Sequence, residues 1–286
     1  KRIYDYEGGN VTVIKAKNIS PYLVEGSNTT VTNRSKPICD VPEMGIGNKP
    51  IDDGNYLFTS EEKANFLKLE PTAKEFFCRW AGSEEFINGI ERWCLWLGDC
   101  PSARLRAMPH ALERVNAVKR YRLASKSAPT KKLAETPTRF HVEYMPKSEF
   151  LVIPEVSSER RKYIPIGFLS PSMLASNKLR ILKDATLYHF GVLSSEMHMA
   201  WVRQVSGRLE SRFQYSVKLD YNNFPWPGEP TSKQRRKVET LAKKVLDLRV
   251  ELGDGRSGYL PARKSGTDKA TLADLYDPLA MPPNLV

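Results

Sequence analysis

Cysteine is scarce. Four occur in 286 residues, at Cys39, Cys78, Cys94 and Cys100. None stands in a C-x-x-C pair or beside a histidine at zinc spacing, so neither a zinc site nor a disulfide framework is indicated. Reduced thiols in a cytoplasmic protein are the expectation. The sequons at Asn10, Asn18, Asn28 and Asn33 therefore carry little weight, because glycosylation needs a secreted context. Histidine is as rare: His110, His141, His189 and His198 are scattered, with no H-E-x-x-H. There is no Walker loop, no G-x-S-x-G and no G-x-G-x-x-G, and Gly45-Ile46-Gly47 is a lone G-x-G in a proline-rich loop. No apolar run reaches the length needed to span a bilayer, and no signal peptide precedes the first element. No catalytic constellation emerges, so the chain is expected to do no chemistry by itself. It starts without methionine and closes on Pro282-Pro283-Asn284-Leu285-Val286, and a fragment of something longer is expected.

Acidic residues are in the minority. Lys and Arg number 44 against 33 Asp and Glu, a net charge of +11. That excess points to a polyanionic partner, most often nucleic acid; a basic surface that is merely solvated is the alternative. The hydrophobic share of 41% argues for a folded protein and against disorder. The length allows one large domain or two smaller ones.

Residues 186–227 are the stretch around which the rest is organised. Leu187, Phe190, Val192 and Leu193 form a short β-favouring run, which makes a strand and puts His189 in a buried setting as a core histidine. Ser194 or Ser195 then caps a helix carrying Met197, Trp201, Val202, Val205 and Leu209 on its inner stripe. Tyr215, Val217, Leu219 and Tyr221 alternate as a second strand, and Pro225 and Pro227 stop regular structure. Arg203, Arg208 and Arg212 ride on this strand–helix–strand unit as a cluster of cations.

Elsewhere the pattern is mixed. Residues 1–57 read as a turn-rich lead-in with a short strand at 11–14 and a tight turn at Asp53-Gly54-Asn55. Thr59 opens a helix with Ser60-Glu61-Glu62, which Pro71 ends, and a second helix covers 73–80. A buried strand lies in 90–97. Residues 102–123 read as one helix with Leu105, Met108, Leu112, Val115 and Val118 inward. Arg104, Arg106, Arg114, Lys119, Arg120 and Arg122 occupy its other positions, followed by Lys126, Lys131 and Lys132. Glu113 is the lone acid from 104 to 132. A solvated face usually mixes both signs, so this one favours phosphate contact. Strands at 150–156 and 163–169 flank the loop 157–162, with Pro154 and Pro165 marking edges or bulges. Residues 170–178 read as a polar loop, and 179–182 leads into the central unit. An amphipathic helix over 233–252 turns Val238, Leu241, Ala242, Val245 and Leu248 inward, followed by a Gly/Ser/Lys-rich loop at 253–264 and a short helix at 272–276. Trp93, Trp96, Trp201 and Trp226 are expected in the core. The fold class implied is α+β: a curved, mostly antiparallel sheet with packed helices, then a small helical C-terminal region.

Five strings carry a resemblance: GNKPIDDGNYLF (47–58), GSEEFINGIERWCLWLGD (82–99), ERRKYIPIGFL (159–169), the long SNKLRILKDATLYHFGVLSSEMHMAWVRQVSGRLESRFQYS (176–216) and YNNFPWP (221–227). Together they resemble the target-recognition region of MmeI-like DNA methyltransferases, large single-chain bacterial restriction–modification proteins similar also to methyltransferases of phage defence. The resemblance implies a division into a lead-in (1–57), a target-recognition core (58–227) and a truncated C-terminal helical region (228–286). It implies a parent that is an S-adenosylmethionine-dependent adenine-N6 methyltransferase of the bacterial cytoplasm, in some members fused to a nuclease. The methyltransferase domain would precede this chain, and the cofactor would bind there, not here. The family's N-P-P-Y motif has no counterpart, since Asn222–Pro227 lacks the two consecutive prolines.

Double-stranded DNA would then be the partner, together with the missing catalytic domain, and no membrane. Phosphate contacts position a duplex while a few side chains at base edges read it. The positioning candidates are Arg104, Arg114, Lys119, Arg122 and Lys126 on the basic helix, with Arg203, Arg208 and Arg212. Base-reading candidates come from the two polar loops: Arg160, Arg161, Ser172, Asn177 and Lys178. The resemblance places base choice in the second loop by position only. A competing reading is a protein–protein docking module with no base readout, and a third, an independent enzyme, would require turnover from this chain alone.

Overall fold

Tyr, Val and Ile alternate with polar residues at the start of the chain, and they form an antiparallel hairpin, β1 (Arg2–Glu7) and β2 (Asn10–Lys15). The computed structural model describes residues 1–7, 9–158 and 161–252. The lead-in then runs as irregular chain against the C-terminal half, with Arg34 N donating to Lys218 O and Ile38 N to Asn222 O, both at 2.9 Å. It ends in β3 (Met44–Ile46) and β4 (Leu57–Phe58).

Thr59 caps α1 (Ser60–Leu69) as its sequence indicates: its hydroxyl accepts from Glu62 N at 3.1 Å, and the Glu62 carboxylate accepts from Thr59 N at 2.7 Å. The helix expected at 73–80 is absent. Pro71 starts a 3-10 turn to Phe76, and the chain continues as β5 (Phe77–Ala81). Phe77 and Trp80 gain more from the pleated, buried surface than from a helix. After α2 (Ser83–Asn88), β6 (Arg92–Leu95) falls inside the expected strand. The single helix expected at 102–123 is broken into α3 (Ser102–Arg106) and α4 (Pro109–Ala124), because Pro109 lacks an amide proton and holds Met108 at φ −120°, ψ 80°. Met108, Val115 and Val118 are buried against Phe58, Phe66, Phe77 and Leu95. A short α5 (Ala128–Lys132) follows.

The second half begins with β7 (Phe150–Pro154) and β8 (Val156–Ser157), then β9 (Gly167–Leu169), β10 (Met173–Ala175) and β11 (Leu179–Leu182). Leu151, Val152 and Ile153 are buried in succession, the signature of a strand covered on both faces. β7 is central in an antiparallel sheet of order β3-β11-β7-β9. Residues 170–178 correct the sequence reading: they hold β10 instead of being all loop. Its apolar Met173-Leu174-Ala175 pairs in parallel with β5 and completes a sheet of order β10-β5-β6-β4.

The central stretch 186–227 departs most from expectation. Residues 187–193 form α6 (Leu187–Leu193), not a strand, with His189 Nδ1 accepting from Thr186 N at 3.0 Å at the helix start. Tertiary packing overrides the β-propensity here, as Gly191 lies against Val238 and Ala242 of a later helix. Ser195 caps α7 (Glu196–Val205) as expected, but its buried face is His198, Met199, Val202 and Val205. Met197 is 70% exposed, and Leu209 belongs to the next element. That element is β12 (Gly207–Leu209), which pairs with β13 (Arg212–Gln214) and through it with β8. The strand expected at 215–221 is a π-type turn over Val217–Tyr221, started by Ser216 accepting from Leu219 N. The C-terminal helix α8 (Ser232–Leu252) buries Ala242, Leu246 and Arg249, with Val238 and Val245 partly covered. Leu241 and Leu248 face outward, so the inner stripe is rotated from the expected one. The loop at 253–264 and the helix at 272–276 lie outside the described residues.

The architecture is thus α+β and mostly antiparallel, divided among the described residues into sheets of two, four, four and three strands instead of one curved sheet. Trp226 is buried, and Trp93, Trp96 and Trp201 pack against the core clusters partly covered. No helix among the described residues is long and apolar enough to cross a membrane.

Candidate nucleic-acid interface

The β12–β13 hairpin and α7 bring several cations together. The hairpin's strands turn at Glu210-Ser211, with Glu210 at φ 58°. β8 lies antiparallel to β13, with Ser157 opposite Phe213, so β8 runs toward that same turn. The Arg208 guanidinium lies 3.8 Å over the Phe213 ring and donates to Arg203 O at 3.2 Å. Arg203 in turn donates to Lys162 O at 3.3 Å and pairs with Glu196 at 2.8 Å. Arg212 pairs with Glu210 at 2.7 Å. Hydrogen bonds from Arg203 and Tyr163 hold the Glu196 carboxyl below its ordinary pKa. Arg161 is half-buried, and burial lowers the pKa of its guanidinium. Arg203 and Arg208 are thus linked to each other and to the Lys162 carbonyl, Arg212 lies on the same hairpin, and Arg161 is tied by its backbone N to Ser158 O beside it. Arg160 lies outside the described residues.

The second loop divides. Ser172 precedes β10 and bonds Ser170 through its hydroxyl at 2.9 Å, whereas Asn177 and Lys178 follow β10, about 10 Å further along the strand. Asn177 N donates to Asn48 O at 2.8 Å. Lys178 and Arg180 both hold Glu155, at 3.1 Å and 2.8 Å. Burial opposes the charge of the Glu155 carboxylate, but Arg180 and Lys178 outweigh it and keep its pKa below the usual range. Tyr215 N donates to Glu155 O at 2.7 Å, tying this corner to the strands of the hairpin. A cavity of about 460 Å³ lined by Trp80, Ser83, Glu155, Asn177 and Lys178 opens beside it. Asn177 and Lys178 thus share the neighbourhood of β8, and Ser172 does not.

On the basic helix the positions differ in kind. Lys119 and Lys126 are exposed and carry no ion pair among the described residues. Arg104 is exposed and paired with Glu75. Arg114 is half-buried, 4.8 Å over the Phe58 ring. Arg122 corrects the sequence reading. It is fully buried, and its guanidinium donates to five backbone carbonyls: Ile51 (2.9 Å), Leu133 (2.7 Å), Thr136 (3.1 Å), Pro50 (2.8 Å) and Arg139 (2.8 Å). Every donor of a planar five-donor fork is used inside the fold, so none is left for phosphate.

The model of the MmeI target-recognition domain matches residues 25–228, and that of the MmeI C-terminal domain matches residues 230–286. The chain belongs to the MmeI target-recognition family. A curated relative, DNA methyltransferase A of Bacillus subtilis (strain 168), is 39% identical over 265 residues, covering 93% of this chain and 28% of the relative. The type IIL restriction–modification enzyme MmeI, solved in complex with DNA, superposes with a TM-score of 0.88 at 43% identity, over 100% of this chain and 36% of that one. The chain therefore spans about a third of the length of these MmeI-type relatives.

Within this MmeI-type fold, Glu210 and Lys162 stand at the cationic edge and Arg180 at the Glu155 corner, none of them having been picked from the sequence. The hairpin was missed because Glu210-Ser211 carries no Gly or Asn to mark a two-residue turn. The usable signal was the alternation of Arg208, Arg212 and Gln214 around apolar Leu209 and Phe213. The arrangement offers guanidinium donors, two carboxylate acceptors and a stacked arginine, which is equipment for binding. Among the described residues no group of His, Cys, Asp and Glu is placed to hold a metal ion.

Proposed function

We propose that this chain is the double-stranded DNA reader of an S-adenosylmethionine-dependent adenine-N6 methyltransferase, and that it holds the duplex in register while the catalytic region of the same polypeptide acts on an extruded adenine. The observation that carries the reading is the arginine edge on the β12–β13 hairpin, set in a fold shared with an enzyme solved on DNA. Extruding a base costs stacking and pairing energy, so the flanking duplex must be gripped from outside the catalytic pocket. Arg203, Arg208, Lys119 and Lys126 supply phosphate contacts. Their present partners, where they have them, are exposed carboxylates and backbone oxygens, and exposed ion pairs contribute little, so phosphate displaces them at small cost.

Glu210 is the exception that argues for base reading. A carboxylate at the tip of a cationic hairpin is repelled by phosphate, so it belongs at base edges, where it accepts from a cytosine amino group or steers Arg212 onto guanine. Arg161, Asn177 and Lys178 complete the reading set. The cofactor binds in the region outside this chain.

Fluorescence anisotropy with a duplex of random sequence, titrated at several salt concentrations, tests the proposal. Binding is expected to weaken steeply with salt, with a slope of about −0.9 per phosphate neutralised. Absence of binding at low salt, both for this chain and for the longer polypeptide, would leave the basic edge to a protein partner and overturn it.

A further inference from the structure

The β1–β2 hairpin has an apolar face that nothing in the described chain covers. Tyr4 sits opposite Val13 and Tyr6 opposite Val11, and with a side-chain period of two all four lie on one face. They are 51%, 50%, 73% and 50% exposed in that order. No residue of β1 or β2 enters any of the three core clusters. The hairpin is joined to the chain after it by Ala16 N donating to Lys1 O and by Lys1 Nζ donating to Asn18 at 3.0 Å. An isolated two-stranded ribbon is marginally stable in water, and a face of two tyrosines and two valines adds to its cost. Such a ribbon is built to be covered.

The family boundaries say by what. The target-recognition match begins at residue 25 and leaves the hairpin out, yet the solved structure matches the chain over its full length, hairpin included. The match at 230–286 is to the family's C-terminal domain, so the large remainder of the relatives lies on the amino-terminal side of this region. The hairpin is therefore the element nearest to that remainder in sequence.

We infer that the Tyr4–Tyr6–Val11–Val13 face docks on the segment that precedes Lys1 in the longer polypeptide, and that the hairpin is the joint through which the reader is fixed to the catalytic region. This rests on the reading that a methyltransferase region precedes the chain. A rigid joint of this kind transmits register, since a reader that swivels freely cannot present one base to one pocket.

The test uses the full-length polypeptide with Tyr6→p-benzoylphenylalanine, irradiated and mapped by mass spectrometry, and Asp5→p-benzoylphenylalanine on the opposite face as its control. The expected result is an intrachain cross-link from position 6 to a peptide preceding Lys1, lost or strongly reduced at position 5. Cross-links to residues 25–252, cross-links between two copies, equal capture from both faces, or no capture at position 6 would each overturn the inference. A Tyr6→Ser/Val11→Ser polypeptide is expected to lose the amide-exchange protection of the hairpin; protection equal to that of the parent would count against docking. Anisotropy on the same preparations reports DNA binding separately, so loss of the reader assignment and loss of the joint are told apart.

Discussion

The carbonyl oxygen of Ala175 accepts two hydrogen bonds from Asn48, from the backbone amide at 2.7 Å and from the side-chain Nδ2 at 2.9 Å. The same amide group donates to Tyr144 O at 3.1 Å, and its Oδ1 accepts from Tyr144 N at 2.8 Å. Asn48 is fully buried and follows β3, an edge strand of one four-stranded sheet, while Ala175 ends β10, an edge strand of the other. Asn177, a candidate reader, donates from its backbone to Asn48 O. One buried amide thus fixes the corner where the second loop meets the core.

Asn48→Ala leaves Tyr144 N and Tyr144 O without their partner and takes from Ala175 O one of its two bonds. Each costs about 1–3 kcal/mol when left unsatisfied, so a loss on the order of 3 kcal/mol is expected in urea unfolding. Asn48→Asp keeps the shape but sets a carboxylate oxygen against the Ala175 and Tyr144 carbonyls inside the core, and it is expected to destabilise at least as much as the alanine variant. Unchanged stability in the alanine variant would mean that the bonds are replaceable by water.

Arg122→Met removes the donors from five carbonyls and is expected to destabilise by roughly 3 kcal/mol or more. Its effect on DNA binding is the informative part. In the fraction that remains folded, the salt slope is expected to be unchanged, because the guanidinium never reaches the surface. A slope reduced by one phosphate would restore Arg122 to the interface.

Arg208→Ala and Lys119→Ala are expected to behave in the opposite way: stability nearly unchanged, and the slope of log affinity against log salt shallower by about 0.9 for each phosphate no longer neutralised. Glu210→Gln keeps its shape and removes its charge. It is expected to alter preference among duplex sequences by about 1–3 kcal/mol at one base pair, without making the salt slope shallower. Uniform weakening across all sequences would assign Glu210 to positioning instead.

Two buried groups pull the acid side of the stability profile in opposite directions. Burial lowers the His198 pKa to about 4, with its Nε2 3.1 Å from the Tyr215 hydroxyl. Its unfolded value is near 6.5, so the unfolded state binds a proton first and stability falls as pH drops from 6.5 toward 4. Burial raises the Asp220 pKa to about 6 against an ordinary value of 3.8. There the folded state binds a proton first, so stability rises as pH drops from about 6 to 3.8. The two partly cancel in the parent. Asp220→Asn is expected to expose the histidine's acid sensitivity between pH 6.5 and 4, and His198→Phe the opposite slope. Denaturant midpoints at four pH values check this, and parallel profiles for parent and variants would rule out both groups.

Local chemistry was legible wherever a short-range rule decided the outcome. Thr59 with Glu62 and Ser195 with His198 N are caps that depend on a few adjacent residues, and both helices begin where those residues say. The short strand read at 11–14 lies within β2, but its partner β1 was not read, and the strand read at 150–156 ends as β7 at Pro154 in the centre of its sheet instead of at an edge. The α+β class and the cationic character of the chain follow from composition and pattern in the same way.

What only the tertiary structure decided is where a face points. Leu187–Leu193 favours a strand in isolation, yet it forms a helix because Gly191 allows close packing on Val238 and Ala242, residues about fifty positions away. Arg122 and Lys119 stand three apart on one helix and look alike in sequence. One is enclosed by carbonyls from residues 50–51 and 133–139 and the other is in water, because the chain on either side of α4 folds back over one side of it. The charge needed to meet a polyanion is a property of the sequence, since it follows from a sum over residues. Which charges can be reached is a property of the fold, since burial is set by what packs from a distance along the chain.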